Sequence, residues 1–526
     1  MARAESALNR VAGAAGLLAA SVLIARALGF LRDALFAHHV GVGPAADAYF
    51  AAFMIPDILG YLLAAGASAV AVTPPYLKRL ENQGAEAAAR FAAVVTTQVG
   101  FFSVLLTAVL WVYAEPLLRL QFPNFDEATL GETLRLMRIV LPAQIFFLTG
   151  GVLRGVLMAH GRFGPQAAAS VVYSAAPILG ALVMPGTDGF AWGTLAGAAV
   201  GQWVIPLLAI RRLPGAVGRM RFAPLDADFR EYVWLALPLM LGLGLTTVDE
   251  WYEKWVGAEV APGAIAAITY ARKLMMAPVG VVGQALGAAL LPSLTALFQR
   301  NDRGAFGTLL TDSLRTTLGL GILASGALVS LALPIVRFLY ERGQFSQADS
   351  TPVAGLLVIL GLAVPGWVVQ QVAVRGFYAR GEMWRAMGLS TFIALAVFPL
   401  YWWGGQVQGV RGLAMASVTA VTLNALVTLV WLRMRSGAPD LWALAQTGLR
   451  TAVIAGLASF AAFLALRGLT QVTSDSVFGA LILGGASYGV VAVVATHFLG
   501  DGPLQAGLSS VSTRIARMLG RGQREP

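Results

Sequence analysis

Apolar segments long enough to cross a bilayer recur from Val11 to Leu499, and the short loops between them alternate between arginine-rich and arginine-poor. Lys78, Arg79 and Arg90 share one loop, Arg162 marks the next of its kind, and Arg211, Arg212, Arg219 and Arg221 follow. Arg300 with Arg303, Arg380 with Arg385, and Arg433 with Arg435 continue the series, and the tail adds Arg514, Arg517, Arg521 and Arg524. The intervening loops, at 124–132, Asp188, Glu259 and Asp475, are acidic or nearly neutral. Lys and Arg accumulate in the cytoplasmic loops of membrane proteins. The alternation therefore predicts an all-α polytopic membrane protein and fixes the direction of each span.

A span needs about 20 apolar residues. Fourteen are expected, the first at 11–37 and the last at 476–499, which leaves both termini in the cytoplasm. A composition of 57% hydrophobic and 12% charged residues rules out an ordinary soluble domain. The net charge of +10 is spread over inside loops. It reads as orientation and attraction to anionic lipid heads, and no nucleic-acid partner is expected. The chain has no cysteine, which excludes disulfides and thiolate metal sites. The first apolar stretch runs into Arg26, Arg32 and Asp33, so no cleavable signal peptide is expected and a bacterial-type inner membrane is the predicted location.

The two halves repeat each other at an offset of about 220 residues. Pro56 matches Pro278, each following an aromatic, Tyr49 or Tyr270. Pro116-Leu-Leu-Arg119 matches Pro334-Ile-Val-Arg337, Pro142 matches Pro365, Leu153-Arg154-Gly155 matches Val374-Arg375-Gly376, and Gly193 matches Gly412. Two same-direction six-helix lobes are expected, an N-lobe at 1–215 and a C-lobe at 216–436. A helix pair at 437–500 and a basic cytoplasmic tail at 501–526 would follow. Parallel repeats of this kind mark transporters, with substrate bound between the lobes near the midplane.

Ionisable residues inside spans cost several kcal/mol unless they meet water or a partner, so each is a functional candidate. The first span holds Arg26, Arg32 and Asp33, the second Asp47 and Asp57, and the seventh Asp249, Glu250, Glu253 and Lys254. The eighth holds Arg272 and Lys273, and Arg154 and Arg375 lie in the fourth and tenth. Arg26, Arg32 and Lys273 would suit an anionic substrate such as a phosphate or diphosphate; the alternative is structural pairing with a carboxylate. Asp249, Glu250 and Glu253 share a helix face. They would bind a coupling cation or be neutralised internally by Lys254 and Arg375, and internal pairing of at least one acid is expected because lone buried charges are costly. No nucleophile triad, P-loop or clustered metal-ligand motif is present in the sequence, so neither an enzyme nor a cofactor is expected.

The run Arg26-Ala-Leu-Gly-Phe-Leu-Arg32-Asp33, followed fourteen residues later by Asp47 in Ala-Asp-Ala-Tyr-Phe and then by Pro56, resembles the MurJ (MviN) lipid II flippases of the MOP transporter superfamily. Ala159-His-Gly-Arg-Phe163, Leu290-Leu-Pro-Ser-Leu294, Glu341-Arg-Gly-Gln-Phe345 and Phe377-Tyr-Ala-Arg380 extend the resemblance over nearly the whole chain. It implies two lobes around a cationic cavity and a last helix pair forming a groove for a polyprenyl tail. The implied activity is moving an undecaprenyl-diphosphate-linked peptidoglycan precursor to the outer leaflet by alternating access, with a cell-wall synthesis complex as a further partner. Arg26, Arg32 and Asp47 match family positions tied to activity, and Lys273 stands where the family usually has Arg. Arg272 stands in place of a usual acid, which would partly restore the cavity's charge and makes it, with Asp33 beside Arg32, a further candidate substrate contact. Where the family reads Leu-Arg-Arg and Ala-Glu-Gly, this chain reads Leu59-Gly60-Tyr61 and Ala64-Ala65-Gly66. The rival readings are an exporter of another lipid-linked glycan, a cation-coupled drug antiporter and a non-transporting scaffold.

Overall fold

The computed structural model describes residues 2–66, 69–213, 215–241, 245–472 and 476–509. Asp475 and the tail arginines Arg514, Arg517, Arg521 and Arg524 lie outside them. Most of the described residues are helical, and none of them forms a strand. The chain divides into two compact units, Met1–Leu243 with Arg342–Phe345, and Gly244–Glu341 with Ser346–Pro526.

In the first unit, α1 (Ala2–Val40), α2 (Pro44–Ala52), α3 (Met54–Gly66), α4 (Ala69–Asn82), α5 (Ala85–Val112) and α6 (Ala114–Gln121) come first. They are followed by α7 (Glu127–Val140), α8 (Ala143–Ala159), α9 (Gly164–Val183), α10 (Thr187–Gly197), a π-helical segment (Ala198–Val204), α11 (Ile205–Arg211) and α12 (Ala227–Leu241). Its core sets Leu148, Val152 and Val156, one stripe of α8, against Phe91 and Val95 of α5. Arg79, at the end of α4, ties this core to α12 through Asp228 at 2.6 Å and Glu231 at 2.7 Å. Its guanidinium also lies 4.4 Å from the Phe91 ring centroid. The unit also takes in Arg342–Phe345, where Gln344 N donates to His38 O at 2.9 Å.

The second unit comprises α13 (Leu245–Val260), α14 (Ala264–Gln299), α15 (Arg303–Ser330), α16 (Ala332–Tyr340) and α17 (Gln347–Gly361). It continues with α18 (Val364–Ala379), α19 (Met383–Ala396), α20 (Phe398–Ser436), α21 (Leu441–Val472) and α22 (Val477–Leu499). Leu310 and Leu314 of α15 pack with Val372 and Phe377 of α18 and Leu432 of α20. A second cluster joins Ile454, Ala458 and Ala462 of α21 to Tyr488 and Ala492 of α22.

The internal repeat is visible in how each unit turns its helices. In the first, Gly180 and Gly193 bring α9 and α10 so close that a Cβ at 193 would sit 2.6 Å from Ala176 O. Gly186 between them adopts φ +106°. In the second, a Cβ at Gly412 would lie 1.9 Å from Gly404 O, and Gly409 between them bends α20 with φ +61°. Only glycine supplies both the positive φ and the missing Cβ. Small residues at such crossings are how helices approach closely in a membrane, where no hydrophobic force draws them together.

Among the described residues, ten helices are long and apolar enough to cross a bilayer. This is consistent with the expected fourteen. The stretch Met383–Ser436 counts as one of the ten although it spans 54 residues and bends at Gly409. Others fall outside the ten for reasons of charge or length: α1 carries Arg26, Arg32 and Asp33, and α13 is 16 residues long and carries Asp249, Glu250, Glu253 and Lys254.

Candidate functional site

The charged spans of the first unit centre on α1. Arg26 and Asp33 are seven residues apart and share a helix face. Arg32 folds back on its neighbour, donating from Nε at 3.1 Å and Nη2 at 3.0 Å to Asp33 Oδ1. The Arg32 side chain remains 32% exposed while that of Asp33 is 8% exposed, so one end of the pair is held and the other is accessible. Asp47 is buried in the first turn of α2, where the positive end of the helix dipole favours a carboxylate. Around it, Phe36 packs on Tyr49 with ring centroids 4.5 Å apart, and on Phe50 and Phe190 at 5.1 and 5.0 Å. These contacts fix α1 against α2 and α10. Arg26 and Arg32 are both half-buried.

Arg154 is a half-buried cation with no carboxylate partner among the described residues. Its Nη1 donates to Gln202 O at 3.1 Å and Gln202 Oε1 at 2.5 Å. Gln202 lies in the π-helical segment, whose altered register frees backbone carbonyls for such a donor. Gly150, one turn before Arg154, makes the approach possible, since a Cβ there would fall 1.7 Å from Gln202 O.

The second unit holds a buried ion cluster on α13, α14 and α20. Arg272 Nε donates to Glu253 Oε2 at 2.6 Å, and Nη2 donates to Asp249 Oδ2 at 2.7 Å and to Glu253 Oε1. Ser417 Oγ accepts from Arg272 Nη2 at 3.0 Å and donates to Asp249 Oδ2 at 3.0 Å. All four residues are buried. Lys254 Nζ pairs with Glu250 at 2.8 Å on the more exposed side of the turn.

The acidic turn is thus paired internally, one arginine and one lysine against its three acids, and the arginine is not the anticipated one. Lys254 takes Glu250, whereas Arg272 replaces the anticipated Arg375 as the partner of Asp249 and Glu253. The reason is local: α13 and α14 are joined by the tight turn Ala261-Pro-Gly263, with Gly263 at φ +84°. Glu253 lies nine residues before Pro262 and Arg272 ten after it, so an antiparallel hairpin sets them at one level. Arg375 instead lies 5.5 Å from the Tyr378 ring centroid, with Nε buried and unpartnered among the described residues. Arg272 was also a candidate substrate contact; its donors are largely taken by the two acids. Its neighbour Lys273 is half-buried.

Two tie points carried no signal as pairs in the sequence. Arg79 reads as an orientation charge yet anchors α12. Asp501, just past α22, accepts from Arg315 Nη2 at 2.9 Å and from Thr447 Oγ1, linking α15, α21 and the end of the chain's last long helix. Burial would raise the Asp501 carboxyl, but the Thr447 hydroxyl, the Leu504 N–H and the Arg315 guanidinium together hold it below the usual carboxylate range. Partners more than 50 residues apart leave no local pattern to read.

A many-helix fold built on a glycine-hinged repeat, with paired and half-buried charges in its spans, defines a multi-pass membrane protein. The model of the family Lipid II flippase MurJ matches residues 36–483, and the chain belongs to that family. It is 30% identical to a probable lipid II flippase MurJ of Rhizobium tropici over 496 residues, covering 88% of this chain and 90% of the relative. The corresponding protein of Rhizobium meliloti is 30% identical over 438 residues, covering 78% of this chain and 79% of the relative. Among solved structures, a lipid II flippase MurJ in the inward closed conformation superposes with a TM-score of 0.75 at 21% identity, covering 92% of this chain and all of that one. An inward-facing multidrug resistance MATE transporter of the MOP superfamily gives 0.70 at 18% identity, over 78% of this chain and 94% of that one. The protein is therefore a flippase of the bacterial inner membrane rather than a catalyst of covalent chemistry.

Proposed function

We propose that this flippase moves lipid II, a polyprenyl-diphosphate-linked saccharide, from the inner to the outer leaflet by alternating access, and so supplies peptidoglycan synthesis. The observation that carries this reading is the set of half-buried cations in the spans, Arg26, Arg32 and Lys273, in a chain of the MurJ family. In a low-dielectric setting a diphosphate is held best by guanidinium forks and ammonium groups. We assign substrate contact to Arg26, Arg32, Asp33, Asp47 and Lys273, with Asp33 orienting the Arg32 fork. Arg272 is assigned to the ion cluster, where it joins α13, α14 and α20.

The arginine-rich loops support a cytoplasmic location for both termini. The α21–α22 pair is assigned to the polyprenyl tail, because it presents Leu449, Phe460, Phe463, Val490 and Val493 as exposed apolar side chains. Cell-wall synthesis enzymes are the partners this role calls for. One observation favours a second reading, export of another lipid-linked glycan: α3 carries Gly60 and Tyr61 where the family has two arginines. Growth rescue separates the two. Expression of this chain in cells depleted of their lipid II flippase should restore growth; failure to rescue despite normal insertion would favour the other glycan.

A further inference from the structure

A cavity of about 510 Å³ in the second unit is lined by Phe298, Arg303, Arg380 and Arg435, among others. Its walls are four helix ends: the last residues of α14, α18 and α20, and the first of α15. The ends of α18 and α20 and the start of α15 are also span ends, so the cavity opens at the level where hydrocarbon gives way to headgroups. Trp384 and Trp442, beside the ends of α18 and α20, are 57% and 72% exposed. Such amphipathic rings collect at the membrane interface. This cavity takes no part in the substrate contacts assigned above.

Its charge is unbalanced. Arg380 and Arg435 reach the same carboxylate oxygen, Glu382 Oε1, at 3.4 and 3.3 Å, and Arg385 reaches it as well at 3.0 Å. Three guanidiniums therefore share one acid. Arg303 is exposed and has no ion pair among the described residues; Asp302, the one acid in the lining, caps α15 by accepting from Ala305 N at 2.9 Å, so the lining keeps three guanidiniums against one carboxylate. Arg380 keeps its Nε buried with no acceptor among the described residues, while its guanidinium lies 5.6 Å from the Phe298 ring centroid. Guanidinium forks match phosphate oxygens, and basic pockets between span ends are where anionic lipid heads bind.

The geometry points to a binding site for the phosphate of an anionic phospholipid headgroup, held by Arg303, Arg380 and Arg435 against Phe298. A lipid seated there would join the ends of α14, α15, α18 and α20. The test uses the purified full chain in detergent, titrated with phosphatidylglycerol, phosphatidylcholine or inorganic phosphate and read by native mass spectrometry and thermal unfolding. Phosphatidylglycerol should bind at least about tenfold more tightly than phosphatidylcholine, a ratio within reach of one charge-assisted hydrogen bond. Arg303→Gln combined with Arg435→Gln should remove that preference. Both side chains are exposed, so unfolding without lipid should be unchanged. Arg300→Gln, outside the lining, should keep the preference. Equal binding of the two lipids, or a double variant that still prefers phosphatidylglycerol, would overturn the site. If inorganic phosphate gives the same arginine-dependent stabilisation, the cavity holds a free anion and the lipid assignment fails.

Discussion

Arg272 answers to two carboxylates at a buried site, and it joins three helices of the second unit there. Removing one partner of a buried ion pair leaves the other charge uncompensated, at a cost of about 3–5 kcal/mol. Arg272→Ala should therefore sharply reduce the monodisperse protein recovered by size-exclusion chromatography. Adding Asp249→Asn and Glu253→Gln should partly restore it, while Arg375→Ala, with no acid to strand, should do less harm. Normal recovery of Arg272→Ala would show that the cluster does not hold the helices. Arg26 and Lys273 have another role in this account. Arg26→Ala and Lys273→Ala should insert at normal levels yet fail to support growth, and Lys273→Arg should remain active because the charge is kept. These residues were legible in the sequence because a charge inside an apolar run stands out. Their partners were less so: Arg272 was found on the acids only once the Ala261-Pro-Gly263 turn had set the register of the hairpin.

At the scale of helices, glycine placement decides how closely segments pack. A Cβ at Gly412 would meet backbone 1.9 Å away, whereas one at Gly456 on α21 would meet nothing within 4 Å. Overpacking typically costs about 1–3 kcal/mol, more when the obstacle is backbone. Gly412→Ala should lower the unfolding temperature markedly and Gly456→Ala should leave it nearly unchanged; equal effects would argue against the close crossing. Repeated glycines were visible in the sequence as a matched pair, Gly193 and Gly412, and the glycine- and glutamine-rich stretch 404–409, which separates two of the expected spans, is where α20 bends. The tie at Asp501 adds a pH test. Its carboxyl titrates below its unfolded value near 3.9. The stabilisation is thus complete above about pH 4 and is lost as pH falls through the lower folded value. Asp501→Asn should be less stable at neutral pH and show a shallower acid loss below pH ~4. An unchanged acid profile would remove the tie from the account.

For the whole molecule, the alternation of basic and acidic loops predicts sidedness, and the absence of cysteine makes the test clean. Gly43→Cys and Asp188→Cys should react with an impermeant thiol reagent in intact cells, and Arg219→Cys should react only after lysis. The reverse pattern would invert the proposed topology. Fold class and family were readable because hydropathy, repeat and motif spacing all act along the chain, whereas the ion cluster and the Asp501 tie depend on distant segments meeting. The central claim concerns the cargo, and it is tested most directly by following lipid II itself. In cells depleted of their own flippase and expressing this chain, the fraction of lipid II open to an impermeant probe on the outer leaflet should return to the undepleted level. With Arg26→Ala at equal abundance it should stay low. Lipid II that remains inside despite normal insertion of the wild-type chain, or that crosses equally well with Arg26→Ala, would contradict the account.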